Sequence, residues 1–197
     1  MPCTPAWRFA CALALLAYAA PLGARADDRQ AFHNDTRRML HMHSFRMRLI
    51  ELSPQGMMAR EMTFVAPDKL RVQIAASPMV AVLIGTNVWI RAADGTWKKS
   101  ADRLPGDPLA AIHDTFTFAT DLQGRTVRFI GTRREAGVAS HVYEIDAPKK
   151  PGYTAEAARI WIGVADGYPR RIERRNGPFA STAIYSDWNK PLTVSAS

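Results

Sequence analysis

Cysteine is almost absent. The 197-residue sequence holds two, Cys3 and Cys11, and both fall within the first 26 residues. The chain after Ala26 therefore has no disulfide, no thiol nucleophile and no thiolate metal site. Long apolar runs are also missing. A bilayer span takes about 20 consecutive apolar residues, and no stretch here reaches that length. Catalytic signatures are lacking too. There is no Gly-x-Ser-x-Gly, no His-Glu-x-x-His and no glycine-rich phosphate loop. Two neighbouring pairs carry suitable groups in unsuitable geometry. His113-Asp114 diverge on a helix, and Ser140-His141 point to opposite faces of a strand. With no repeats, low-complexity tract or long linker, the chain reads as one domain over residues 27–197. Its stability must come from core burial.

The first 26 residues read as an export signal. Met1 to Phe9 is a short basic segment, Ala10 to Ala20 an uncharged apolar run, and Pro21 and Gly23 break it. Ala24-Arg25-Ala26 is an A-x-A cleavage site. Cleavage after Ala26 leaves about 170 residues, enough for a real core. Neither cysteine follows the apolar run, so no lipid anchor is expected. The expected location is the periplasm, with membrane contact transient at most. The formal charge is +8, and the mature chain stays basic. Anionic lipid head groups or cell-wall polymers suit such a chain, although solubility alone also accounts for it.

Asp28 to His43 has the helical period, with Phe32, Thr36, Met39, Leu40 and His43 at steps of three and four. From Ser44 the period becomes two. Phe45, Met47 and Leu49 alternate with polar neighbours, and Met57 to Ala66 returns after Ser53-Pro54-Gln55-Gly56. Leu70, Val72 and Ile74 alternate with Lys69, Arg71 and Gln73, as in a strand with one wet face. Met79 to Ile84 is apolar on both faces, so something must cover both. Val88 to Ala92 and a strand at Trp97 follow. Asp107-Pro108 opens a second helix with Leu109, Ile112 and Phe116 as its stripe. Strands resume at Thr126 to Thr132, Val138 to Ile145, Ala158 to Val164, Tyr168 to Arg175 and Phe179 to Trp188. Asp166-Gly167 and Asn176-Gly177 are hairpin turns, and Pro148 to Gly152 is a loop. The class is α+β, with one large curved antiparallel sheet.

Two blocks carry a family resemblance. Pro67-Asp68-Lys69-Leu70-Arg71 and Gly85-Thr86-Asn87-Val88-Trp89, within Glu61 to Lys99, resemble the central stretch of the periplasmic LolA-type lipoprotein carriers. Asn87 to Trp97 followed by Asp107-Pro108-Leu109, with the ends Gly167 to Ile172 and Tyr185 to Val194, resembles the LppX-type lipid-binding lipoproteins. The resemblance implies an incomplete β-barrel of about ten to eleven strands with helices plugging its concave face. It implies a periplasmic carrier or binding protein for a lipid, a lipoprotein acyl chain or another hydrophobic ligand, with no enzymatic activity and no cofactor. The implied partners are a lipid or acylated protein, and an envelope protein if the chain is instead a sensor or interaction module.

The candidate ligand lining is Leu70, Val72, Ile74, Val88 and Ile90 from the sheet, with Ile112 and Phe116 from the second helix. Each buried methylene contributes about 0.8 kcal/mol, so an acyl chain binds such a lining without a polar anchor. The same residues also fit an ordinary packed core. Trp89, Trp97, Trp161 and Trp188 fall on expected strands, with Trp89 and Trp161 facing away from their apolar neighbours. Arg170, Arg171, Arg174 and Arg175 form a basic strand. Arg170 and Arg174 are candidate head-group contacts if that strand lines a cavity mouth. Otherwise it is a solvated face. Met39, His41 and His43 are a weaker candidate set for copper, competing with plain packing of the methionine. Nucleic acid is not an expected partner.

Overall fold

The structure is a computed structural model that describes residues 26–101, 112, 122, 124–146 and 156–196. Residues 1–25 of the expected export signal, the expected Pro148 to Gly152 loop and Phe116 lie outside them. So does all of the expected second helix except Ile112. That residue is helical and buried.

The chain opens with helix α1 (Ala26–Thr36), continued by a single 3-10 segment (Arg37–His41). The helical pattern predicted to His43 thus tightens at Thr36. The Thr36 hydroxyl donates to the Phe32 carbonyl at 2.9 Å, a back-bond that bends helices. Eleven strands follow among the described residues: β1 (Ser44–Ser53), β2 (Gly56–Val65), β3 (Lys69–Ile74), β4 (Val80–Ile84), β5 (Asn87–Arg91), β6 (Trp97–Lys99), β7 (Thr126–Glu135), β8 (Val138–Asp146), β9 (Glu156–Gly163), β10 (Pro169–Asn176) and β11 (Phe179–Ser186). No helix among the described residues is long and apolar enough to cross a membrane.

All strands join one antiparallel sheet in the order β6-β5-β4-β3-β2-β1-β11-β10-β9-β8-β7. Two meanders therefore meet where the first and last strands pair, Met47 opposite Tyr185 and Leu49 opposite Ala183. The outer edges β6 and β7 stay apart, so the barrel is incomplete. Residues 100–125 connect those two edges.

Helix α1 lies on the concave face of β7 to β9. Phe32 packs edge-on against Tyr143 with ring centroids 5.1 Å apart. Polar ties hold the helix there. Arg29 donates to the Leu122 carbonyl at 2.5 Å, Arg38 donates to the Ala165 carbonyl, and Asp28 accepts from the Phe129 amide. The turn after β9 is tight against the helix. Gly167 has φ +71°, and a Cβ there would stand 2.7 Å from the Asp35 carbonyl oxygen. Gly167→Ala is expected to cost about 1–2 kcal/mol from the left-handed backbone alone, and more from the displaced helix. Urea unfolding reads the loss, and amide exchange in α1 should quicken before that of β8.

The convex face differs between the two halves. Across β7 to β9 it is charged, with Arg128 and Arg159 both ion-paired to Glu144. Across β4 and β5 it is apolar. Val80 and Val82 are fully buried there, beside Ile84, Trp89 and Trp97. Their cover is the C-terminal segment, whose Val194 is itself 5% exposed. The two-faced apolarity of Met79 to Ile84 is thereby explained. Trp89 lies on this outer face. Trp188 departs from expectation: it follows β11 rather than lying on it. Its indole donates to the Pro169 carbonyl at 2.8 Å and stacks on Tyr168.

Candidate functional site

Strand alternation and register build the concave surface row by row. The first row runs Val88, Leu83, Leu70, Phe64, Phe45 across β5 to β1. All five are buried. The second row is Ile90, Ala81, Val72 and Met62, each half-buried, ending on buried Met47 and Tyr185. The third is Ile74, Arg60, Leu49, Ala183 and Ile172. The fourth is Met58, Glu51, Ser181 and Arg174. Burial thus falls away from the first row toward the β1–β2 and β10–β11 hairpins.

At the hairpin end the surface opens into a cleft of about 460 Å³. Its inward-facing walls include Glu51, Met58, Arg60, Arg174, Phe179 and Ser181. Arg60 and Glu51 form an ion pair at 2.7 Å, each side chain about one-third exposed. Exposed Met58 and Phe179 form an apolar lip beside these charges.

Of the expected lining, Leu70, Val88 and Ile112 belong to the packed core. Val72 and Ile90 lie on its half-open border. Ile74 lies at the end of β3 and is 43% exposed. The two head-group candidates separate. Arg174 faces the cleft. Arg170 is ion-paired to Asp166 at the β9–β10 turn, its side chain only 12% exposed. A register shift between Pro169 and Arg171 takes Arg170 out of the alternation that carries Ile172 and Arg174 inward. Arg171 goes to the outer face, over the Trp161 ring at 5.3 Å. Met39 is buried, whereas His41 and His43 are exposed, so thioether and imidazoles are not offered to one site. No cluster of three or more His, Cys, Asp or Glu side chains suited to a metal occurs among the described residues.

Sequence reasoning missed Glu51 and Arg60. Continuing the alternation from Phe45, Met47 and Leu49 reaches Glu51, and running back from Phe64 and Met62 reaches Arg60. It also missed the polar tie beneath α1. Tyr143 donates to Asp35 Oδ2 at 2.6 Å, and His141 Nδ1 lies 2.7 Å from the same oxygen. Burial, reinforced by Asp35, pushes the Tyr143 phenol far above its usual range. It is a fixed neutral donor, not a proton-transfer group. Ser140 Oγ donates to the Val138 carbonyl and has no part in this cluster. Asp35→Ala is expected to destabilise by about 1–3 kcal/mol, the cost of a buried hydroxyl left without its acceptor. In an Asp35/Tyr143 double-mutant cycle, Tyr143→Phe should recover much of that loss.

No protein-family model matches the sequence, and no curated protein does. Solved structures do match. Lipoprotein LppX of Mycobacterium tuberculosis superposes with a TM-score of 0.65 at 16% identity, covering 87% of this chain and all of that one. The fold is the LolA/LppX-like half-barrel. LprF of Mycobacterium bovis agrees, with a TM-score of 0.66 at 13% identity over 88% of this chain and 98% of its own. A chain of the Pseudomonas aeruginosa MucA/MucB complex matches at 0.51 and 14% identity, over 84% of this half-barrel and 59% of its own length. In this LppX-like sheet, the third row lies between the half-buried second row and the hairpin cleft.

Proposed function

We propose that this chain is exported to the periplasm, loses residues 1–26, and as one domain binds a lipid, a lipoprotein acyl chain or another hydrophobic ligand without catalysing a reaction. The observation that carries the reading is the half-buried row Ile90, Val72 and Met62, which packs against the core and stays partly exposed on the concave face. Apolar side chains left partly wet at the border of a core gain free energy when an acyl chain covers them, at about 25 cal/mol per Å². The LolA/LppX-like fold supports the same reading.

The test is mass spectrometry of protein purified gently from its native envelope. A stoichiometric co-purifying lipid or acylated protein supports the proposal. Protein that carries no lipid, and that takes up none from mixed vesicles, sinks it. A second reading, an envelope interaction module, draws support from the resemblance to the MucA/MucB complex. It predicts a lipid-free protein that retains a protein partner through purification. Stoichiometric copper in the same sample would instead favour metal handling.

A further inference from the structure

We infer that the end of the sheet formed by the β1–β2, β3–β4 and β10–β11 hairpins is a docking rim that dips into the surface of an anionic lipid bilayer. Such docking is separate from ligand binding on the concave face and does not depend on it. Nine large apolar side chains are exposed among the described residues, and six of them gather at this end. They are Leu52, Met57, Met58, Ile74, Met79 and Phe179, each between 42% and 74% exposed. The topology makes neighbours of them. β4, β3, β2, β1, β11 and β10 are consecutive in the sheet, and antiparallel pairing puts their three hairpin turns at the same end. The register sets Leu52 opposite Met57 on one side and Ala180 on the other, so the β1–β2 and β10–β11 tips are level. Apolar surface gathered in this way marks a contact site.

Two features favour a bilayer over a folded protein partner. The first is that both faces of the rim are apolar. By alternation, Leu52 and Met57 lie on the convex face, whereas Met58 and Phe179 lie on the concave face with Glu51 and Ser181. A folded partner covers one face of a sheet, while lipid flows round both. The second is charge. The three tips, residues 52–58, 74–79 and 175–179, contain no Asp or Glu and a single cation, the exposed Arg175. Each turn also holds a proline, Pro54, Pro78 or Pro178, which has no amide hydrogen to leave unpaired in an apolar medium. Depth agrees as well. The first charged side chain behind the β1 tip is Glu51, ion-paired to Arg60 and two residues from the strand end at Ser53. At about 3.3 Å per residue the apolar tip is about 7 Å deep, and amphipathic faces enter the head-group boundary by about 5–10 Å. The hairpin cleft opens at this rim, with Leu52, Met57 and Phe179 among its walls, so docking sets the cleft against the lipid.

The absence of cysteine after Ala26 makes the test simple. Leu52→Cys, Phe179→Cys and Val164→Cys variants of the mature chain are each labelled with a polarity-sensitive dye. They are then mixed, at low salt, with vesicles of equal parts phosphatidylcholine and phosphatidylglycerol. Val164 is a similarly exposed apolar residue at the opposite end of the sheet, after β9. Emission at Leu52 and at Phe179 should shift to the blue on vesicle addition, and emission at Val164 should not. In the unlabelled chain, Met57→Ser with Phe179→Ser should weaken vesicle partitioning at least about ten-fold, as expected for two partly buried apolar side chains. The melting midpoint of that variant should not change, because both positions are exposed. Arg175→Gln should weaken binding to these vesicles about five-fold and leave binding to pure phosphatidylcholine unaltered. A shift at only one of the two tip positions means a one-sided protein-like contact and overturns the rim. An equal shift at Val164, or no shift anywhere, overturns it too. Shifts that grow with protein concentration in the absence of vesicles replace the bilayer with a second copy of the chain. Hexadecanol uptake without vesicles reports the concave face separately, so failure of the rim and failure of the proposed ligand binding are distinct results.

Discussion

Phe45→Ala is expected to lose about 3–5 kcal/mol of stability, the usual cost of emptying an aromatic site in a close-packed core. Phe45 is 1% exposed and sits on β1, next to the seam where the two meanders join. Its ring contacts Phe64 at 5.3 Å, Tyr185 at 5.7 Å and Trp188 at 5.0 Å between centroids. These neighbours come from β2, from β11 and from the turn after it. Removing the ring therefore empties the junction of both halves rather than one hairpin. Whole domains are stable by only about 5–15 kcal/mol, so a large part of the total is at stake. Urea denaturation should show a lower midpoint with an unchanged slope. Phe45→Leu, which refills much of the volume, should recover more than half of the loss. A loss below about 1 kcal/mol would mean that the seam is not the centre of the fold.

Ending the chain after Lys190 is expected to cost at least about 3 kcal/mol, two valine-sized burials at the low end of their usual value. The truncation keeps Asn189, whose side-chain oxygen accepts from the His43 amide at 2.7 Å, and Lys190, whose carbonyl accepts from Ser44 Oγ. It removes the segment carrying Val194 and uncovers Val80 and Val82, both at 0% exposure in the whole chain. The bared convex patch includes Trp89 and Trp97, and contiguous exposed apolar surface of this kind drives association. Size-exclusion chromatography and binding of a hydrophobic dye read the change. A truncated chain that is monomeric and unfolds at the same midpoint would show that the tail is dispensable. Ligand binding on the concave face should survive at temperatures where the truncated chain is folded, because the tail lies on the opposite side of the sheet.

The Gly167 and Asp35 variants probe a different element, helix α1. Its ties are polar and come from separate strands, so they test the docking of the plug rather than the sheet beneath it. Their effects should be smaller than those of Phe45→Ala and of the truncation, because they loosen a helix whose Phe32 and Met39 remain buried against the sheet.

Local pattern was enough for the strands. Alternation from Lys69 to Ile74 and the turn residues at Asp166-Gly167 and Asn176-Gly177 mark elements within a residue or two of their observed ends. This works because side chains alternate faces with period two, whatever the strand later pairs with. The same rule stated that Met79 to Ile84 needs cover on both sides, but it held no information on what supplies the cover, and Met79 itself stays exposed. The C-terminal segment does so from more than a hundred residues away along the chain.

The arginines show where sequence stops. Arg170, Arg171 and Arg174 lie within five positions, and alternation sets Arg171 apart but does not separate Arg170 from Arg174. A register shift sends Arg170 to Asp166, ordinary alternation sends Arg171 to Trp161, and of the three only Arg174 reaches the concave face. Cross-strand register likewise sets Arg60 and Glu51 on one wall with Arg174. Ile74 has the parity of a lining residue and sits at the exposed end of β3. Composition and alternation by themselves determined one large antiparallel sheet with no cysteine after Ala26, and the incomplete barrel was implied by the family resemblance. Only tertiary pairing decided which charges share the concave face, because pairing joins residues that are distant in the chain.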